Sequence, residues 1–270
     1  RLHRGDTTLG EVTPSDEHGT IGISLPRPNA LLLATGKAQF TADIQKEGAL
    51  ELAVVRSPHA HARIKAIDTS EAEKIPGVVA VLLAKDIKGT NRLKPDQPIL
   101  CENKVQVMGD AVAAVVAETR ETALEAVQAV KVTYEPLPEL HSPEEALAEG
   151  SFQIHESVPN LCYVHPQIKG DSHGALAECH EVVHGEFSTQ IIHQSPLEPE
   201  ASLAFFEEDP DNEQERQLVV VGRSINIHYH LKVLQDALGW ENMRYQQAFI
   251  GGQFGIKMDI TAEGLAAAAA

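Results

Sequence analysis

What this 270-residue sequence has little of narrows its chemistry first. It holds three cysteines, Cys101, Cys162 and Cys179, and none forms a Cys-x-x-Cys pair. An odd, widely spaced set of thiols supports neither a disulfide framework nor a zinc or iron–sulfur site. All three are expected as ordinary buried thiols. Positive charge is scarce: 22 Lys and Arg stand against 39 Asp and Glu, giving a net charge of −17. With no basic stripe to offset that balance, a nucleic-acid partner is not supported, and the acidity suits solubility. No apolar run approaches the roughly 18 residues that a membrane-spanning helix needs. The opening Arg1-Leu-His-Arg-Gly-Asp6 lacks an apolar core, so no signal peptide is visible and the cytoplasm is the expected location.

At 43% hydrophobic and 23% charged residues, the chain reads as globular. Residues 1–35, rich in Gly, Thr, Asp and Pro, read as a linker stiffened at its end by Pro26-Arg27-Pro28. Residues 36–142 read as an α/β module. Strands are expected over Ala49–Arg56, with Leu50, Leu52 and Val54 on one face, and over His61–Ile67, Val78–Leu83, Asp110–Ala117 and Val130–Tyr134. A short helix is expected at Ser70–Lys74, capped by Thr69 or Ser70, and an amphipathic helix opening at Thr122. Residues 143–270 form a second module. Glu181–Phe187, Ala201–Phe206 and Gln217–Val221 read as strands, Glu207–Glu215 as a solvated acidic loop, and Asn226–Leu238 as a helix ended by Gly239. The chain closes inside helix-favouring Ile260-Thr-Ala-Glu-Gly-Leu and five alanines, so this module is expected to be truncated. The fold class is therefore α+β.

Four stretches, in order, carry a resemblance. Thr35-Gly36-Lys-Ala-Gln-Phe40-Thr-Ala-Asp43 looks like a T-G-x-A-x-Y/F-x-A/G-D entry; Gly36 allows a turn, and Phe40 is expected to bury beside the following strand. Arg56-Ser57-Pro58-His59-Ala60-His61-Ala62-Arg63-Ile64, with Ile67-Asp68 and Pro76-Gly77-Val78 downstream, is the most specific stretch. His193-Gln194-Ser195-Pro196-Leu197-Glu198-Pro199 resembles an H-x-P-L/M-E-P/T segment, and Ile250-Gly251-Gly252-Gln253-Phe254-Gly255-Ile256-Lys257 a G-G-x-F-G-x-K loop. A lone GGxFG is weak, but in order with the other three it is strong. Together they resemble the xanthine dehydrogenase and aldehyde oxidoreductase family of molybdenum hydroxylases. The resemblance implies a hammerhead-like α/β domain followed by the first part of a molybdopterin-binding domain.

The same resemblance implies hydroxylation with water as the oxygen source, on molybdopterin with molybdenum in its cytosine dinucleotide form. A Gln near His193 bonds an oxygen ligand of molybdenum in the family; Gln194 is the natural choice, with Gln190 an alternative register. Gly252, Gln253, Phe254 and Gly255 are implied at the cofactor, through backbone N–H groups at Phe254 or Gly255, and Phe254 also borders the substrate pocket. Gln253 departs from the pattern, since many relatives carry Gly there. Met258 stands where purine-oxidising relatives carry Glu, which weakens a xanthine reading. Ser224-Ile-Asn-Ile-His228-Tyr-His230-Leu looks more like bacterial aldehyde oxidoreductases and favours an aldehyde. No catalytic residue is assigned here: the general-base Glu belongs to a downstream segment. Electrons are implied to leave through 2Fe–2S clusters on another domain or subunit, with FAD on a further partner. The remaining molybdopterin-binding segment completes the site.

Plainer readings stand beside these. His59/His61 and His228/His230 sit at a spacing that puts two rings on one strand face, but neither pair has a third ligand, and no direct metal ligand is assigned. Glu198 and Glu200, flanked by prolines, read as positioning groups rather than an acid–base pair. A hydroxylase for an N-heterocycle and a cofactor-free scaffold subunit remain alternatives.

Overall fold

The computed structural model describes residues 26–209 and 212–270. One compact unit ends at Gln39 and a second spans Phe40–Ala270. Most of the expected linker, residues 1–25, lies outside the described residues. Within the rest, Ala30–Ala34 forms a short helix, α1, where linker was expected. Its sequence, Ala-Leu-Leu-Leu-Ala, consists of strong helix formers. The helix closes when Gly36 turns left-handed (φ 68°) and Lys37 N–H reaches back to the Leu32 carbonyl at 2.8 Å.

The second unit carries eleven strands among its described residues: β1 Glu51–Arg56, β2 Ala62–Asp68, β3 Val78–Leu83, β4 Arg92–Lys94, β5 Gln97–Pro98, β6 Lys104–Val105, β7 Ala111–Ala117, β8 Lys131–Pro136, β9 Leu203–Asp209, β10 Asn212–Gly222 and β11 Met243–Gln247. Its helices are α2 Arg120–Ala129, α3 Pro143–Leu147, α4 Ser172–Glu178, α5 Ile227–Leu238 and α6 Ala262–Ala269. The strands form three-stranded sheets in the orders β1-β7-β3, β6-β2-β8 and β11-β10-β9, with β4 and β5 as a separate hairpin.

β7 is the centre of the first sheet, pairing antiparallel with β1 and β3. Its run Ala-Val-Ala-Ala-Val-Val-Ala is apolar throughout because both faces are covered. α2 lies against β1 and β7, burying Ala123 and Ala126. The helix starts earlier than Thr122: Thr119 is the N-cap, its hydroxyl accepting from Thr122 N–H at 3.2 Å. The expected face of β1 is also corrected. Ala53 and Val55 are its buried residues, Leu52 is half-buried, and Leu50, ahead of the strand, is exposed. The expected helix at Ser70 is one 3₁₀ turn, Ala72–Lys74, with no side-chain cap; Thr69 Oγ1 bonds Glu73 Oε1 instead.

In the β11-β10-β9 sheet β10 pairs parallel with β11 and antiparallel with β9. β9 and β10 run through most of the stretch expected as an acidic loop. The acidic ends of these strands have polar partners: Arg244 Nη2 meets Glu207 Oε1 at 2.6 Å, and Asn242 Nδ2 donates to Asp209 Oδ2 at 2.6 Å. α5 matches its expected span, and Gly239 ends it in the left-handed conformation (φ 67°). One hydrophobic core crosses the expected boundary at 142/143, joining Leu93, Leu100 and Ala114 to Leu218, Val220, Leu234, Ala237 and Tyr245. Each fully buried Leu or Val among them contributes roughly 1.5–3 kcal/mol.

Glu181–Phe187, expected as a strand, has no regular structure, and Val183 and Phe187 are exposed. A strand exists only where a neighbour takes its backbone hydrogen bonds, and none of the described residues does so here. Cys162 and Cys179 lie exposed in the same stretch of chain, against the expectation of burial; Cys101 alone is buried.

Candidate functional site

The glycine loop, residues 250–257, and the segment 193–200 meet through Glu198. Its backbone N–H donates to the Gly251 carbonyl at 3.1 Å, and its carboxylate accepts from Gly251 N–H at 2.7 Å. The same carboxylate is ion-paired with Lys257 and accepts from Thr41 N–H at 3.4 Å. Lys257 is fully buried and Glu198 nearly so. Buried charges persist only when paired and hydrogen-bonded. Here both conditions hold, so one carboxylate pins three pieces of chain together.

Gly251 is required by close approach. A Cβ there would stand 2.7 Å from Glu198 Cβ and 3.1 Å from the Phe40 ring. Phe40 packs edge-on against Phe249 with centroids 6.3 Å apart, and the two residues share a parallel backbone bridge. This corrects the expectation that Phe40 buries beside β1: its partner is the approach to the loop, some two hundred residues away in sequence.

Beyond Gly251 the loop turns repeatedly left-handed, at Gly252 (φ 88°), Phe254 (φ 42°) and Gly255 (φ 95°). Backbone that enters the left-handed region at such short intervals can offer neighbouring N–H groups to an anionic or polarised oxygen. The N–H groups of Gly252, Gln253 and Phe254 have no acceptor among the described residues. Gly255 N–H is taken by Gln253 Oε1 at 2.9 Å, and the Gln253 carbonyl accepts from Ile256 N–H at 2.8 Å. Phe254 is 72% exposed. Pro196 faces the loop, 3.4 Å from where a Gly252 Cβ would stand. Gln194 and Gln190 both lie exposed in irregular chain before Pro196, with no hydrogen-bond partner among the described residues. The structure thus gathers Gly252, Gln253, Phe254 and Gly255 and brings Pro196 and Glu198 to them. It leaves Gln194 on the adjoining segment.

A second buried network braces the same segment. Arg223, fully buried just past β10, pairs with Glu200, and its Nη1 meets Glu263 Oε1 at 2.7 Å. Tyr245 Oη donates to Glu263 Oε1 at 3.1 Å, and burial, then the Glu263 charge, raises the Tyr245 phenol above its usual range. Glu198 and Glu200 are therefore each held by a buried cation, as positioning groups are. Sequence reasoning gave no role to Lys257, Arg223 or Glu263. The available signal was a basic residue directly after the apolar run Leu218-Val-Val-Val-Gly222, where burial demands a counter-ion.

The two His pairs fall elsewhere. His61 Nδ1 bonds the Pro138 carbonyl at 2.6 Å and its ring stacks on Phe152, while His59 meets the edge of Tyr134. On α5, His230 is buried with Nε2 at 2.8 Å from the Met258 carbonyl, and His228 is exposed. Among the described residues, no group of three or more His, Cys, Asp or Glu is placed to hold a metal ion. No helix among them is long and apolar enough to cross a membrane.

Three small sheets, two of them sharing one core, followed by a glycine loop stapled to a proline-flanked segment, define a hammerhead-type α/β domain joined to cofactor-binding chain. Residues 35–138 match the model of the aldehyde oxidase and xanthine dehydrogenase a/b hammerhead domain, and residues 154–270 that of the molybdopterin cofactor-binding domain. The chain belongs to the aldehyde oxidase and xanthine dehydrogenase family of molybdenum enzymes. It is 35% identical to an aldehyde oxidoreductase of Megalodesulfovibrio gigas over 98% of its own length and 30% of the relative's. It is 34% identical to the nicotinate dehydrogenase large molybdopterin subunit of Eubacterium barkeri, over 92% of this chain and 58% of that one. In three dimensions it is similar to the aldehyde oxidoreductase of Desulfovibrio gigas, with a TM-score of 0.81 at 34% identity, covering 90% of this chain and 28% of the other. The chain thus spans about a third of the length of these aldehyde oxidoreductases.

Proposed function

We propose that this chain forms one wall of the active site of a molybdenum hydroxylase that oxidises aldehydes to carboxylic acids. The observation that carries the reading is the glycine loop. Three successive N–H groups without acceptors among the described residues, on a backbone shaped by left-handed residues and locked by a buried ion pair, suit the oxygen-rich surroundings of a molybdopterin. The donor set fits the group. When bound, the cofactor, in the proposed cytosine dinucleotide form, supplies the two-electron oxidation with water as oxygen source.

What this chain's own residues do is hold and orient. The N–H groups at Gly252, Gln253, Phe254 and Gly255 would donate toward cofactor oxygens, Gln194 would approach from the 193–200 segment, and Phe254 would present an apolar ring to the substrate. The Glu198–Lys257 pair fixes the loop so that these donors need no rearrangement during reaction. The domain limits are proposed at 36–142 and 143–270. The general-base Glu, 2Fe–2S clusters and any FAD reside on other segments or subunits, and the assembly works in the cytoplasm.

Molybdenum per copy of this chain, measured by elemental mass spectrometry on the native assembly, tests the reading. A ratio near one is expected; a ratio near zero in fresh, intact material overturns it in favour of a cofactor-free scaffold. The 34% identity to a nicotinate dehydrogenase subunit supports a second reading, an N-heterocycle hydroxylase. Turnover of benzaldehyde but not nicotinate with a dye acceptor is expected; the reverse overturns the aldehyde assignment.

A further inference from the structure

We propose that Gln253 is a gate for the loop's last donor: its carboxamide oxygen occupies Gly255 N–H and must release it before that N–H serves the cofactor. The inference rests on the functional reading above. Among the four residues Gly252, Gln253, Phe254 and Gly255, only Gly255 has its N–H accepted by a described residue, and the acceptor is a side chain of the loop itself, at 2.9 Å. Gln253 is anchored at its backbone, where its carbonyl accepts from Ile256 N–H. Its side chain makes no other hydrogen bond among the described residues, so no second bond holds the carboxamide against Gly255 N–H.

The bond is neutral to neutral and local, worth about fivefold in an equilibrium constant. A charged or metal-polarised oxygen is the stronger acceptor, roughly by a factor of two in bond energy, and displaces it. The gate therefore closes the donor when the cofactor is absent and opens on loading. It reduces occupancy of that one donor about fivefold relative to a loop with no side chain at this position.

The test uses the full-length protein in its native assembly, isolated from molybdate-starved and molybdate-replete cells, as wild type, Gln253→Ala and Gln253→Glu. The readout is hydrogen exchange at the Gly255 amide, resolved to the single residue by mass-spectrometric fragmentation, alongside molybdenum content. In starved protein, Gly255 is expected to exchange about fivefold faster in Gln253→Ala than in wild type, and slower still than wild type in Gln253→Glu, whose carboxylate is the better acceptor. In replete protein, wild type and Gln253→Ala are expected to converge on one protected rate. Equal rates in starved wild type and Gln253→Ala overturn the gate, as does a difference that persists in replete protein, which marks Gln253 as a permanent brace. If Gln253→Ala fails to fold, Gln253→Glu decides, because an unchanged starved rate in that variant also overturns the proposal. Molybdenum near zero in replete wild type sinks the hydroxylase reading itself, and the gate falls with it for that separately visible reason.

Discussion

Replacing Lys257 by Met removes the cation that neutralises Glu198 while keeping most of the side-chain volume. Glu198 is 7% exposed and then retains only neutral donors, Gly251 N–H at 2.7 Å and Thr41 N–H at 3.4 Å. An uncompensated charge in such a place costs about 3–5 kcal/mol. For a unit of this size each kcal/mol lowers a thermal midpoint by about 2–4 °C, so the transition of this part of the protein is expected to fall by roughly 6–20 °C. Glu198→Gln, which strands the fully buried Lys257 instead, is expected to do similar harm. The double variant Glu198→Leu/Lys257→Met removes both charges. It should recover most of the loss, less about 1–3 kcal/mol for Gly251 N–H left without its acceptor. Scanning calorimetry on the full-length protein, analysed as a double-mutant cycle, measures all three. A fall under 2 °C for Lys257→Met, or a double variant as damaged as the sum of the singles, refutes the claim that these charges depend on each other.

Four further outcomes follow from the same geometry. Gly251→Ala forces a Cβ to within 2.7 Å of Glu198 Cβ, and a loss of about 1–3 kcal/mol is expected in the same calorimetric transition. Gly89→Ala should be worse, because its Cβ would meet backbone, 2.3 Å from Gly239 N, where Thr90 and Asn91 N–H groups dock on the end of α5; loss of soluble full-length protein is the readout. Cys101 is buried beside Asp110, and its thiol is pushed up to about 12, chiefly by burial. At pH 8 it should alkylate about a thousandfold more slowly than an ordinary cysteine, by peptide mass mapping, until the protein is unfolded. Burial also lowers the His155 imidazole below its ordinary value of 6.5. The unfolded chain then binds that proton more readily, so stability is unaffected above that value and declines as pH falls from it toward the lower folded value. His155→Gln should flatten that slope in thermal midpoints taken from pH 5 to 7.5.

Elements whose signal is intrinsic to their own side chains were the legible ones. β3 and β7 are written as uninterrupted apolar runs, and α5 as an amphipathic repeat punctuated by Gly239, whose left-handed turn few other residues adopt. Where the sequence offers two equivalent residues, local geometry chose. Thr119 and Thr122 both suit a helix start, and the earlier one caps because the later N–H is the donor it satisfies. Glu181–Phe187 fails for a different reason: composition describes the segment's own residues, whereas a strand also needs a neighbouring backbone, which no local pattern encodes.

The loop motif was legible as letters but its support was not. Gly251, Phe254 and Lys257 lie within one short motif, yet the residues that make it rigid, Thr41, Phe40 and Glu198, come from chain more than fifty residues away. Such a pair has no periodicity to read, because each partner's burial is caused by the other. The prolines around Glu198 suggested a positioned carboxylate, and the missing half was a basic residue that an apolar setting could not leave alone. Lys257 is that residue, and its place at the end of the G-G-x-F-G-x-K pattern has a physical reason. The glycines free the loop to present its N–H groups, and a freed loop holds one shape only if something buried pins its far end. Lys257, paired with Glu198, is that pin.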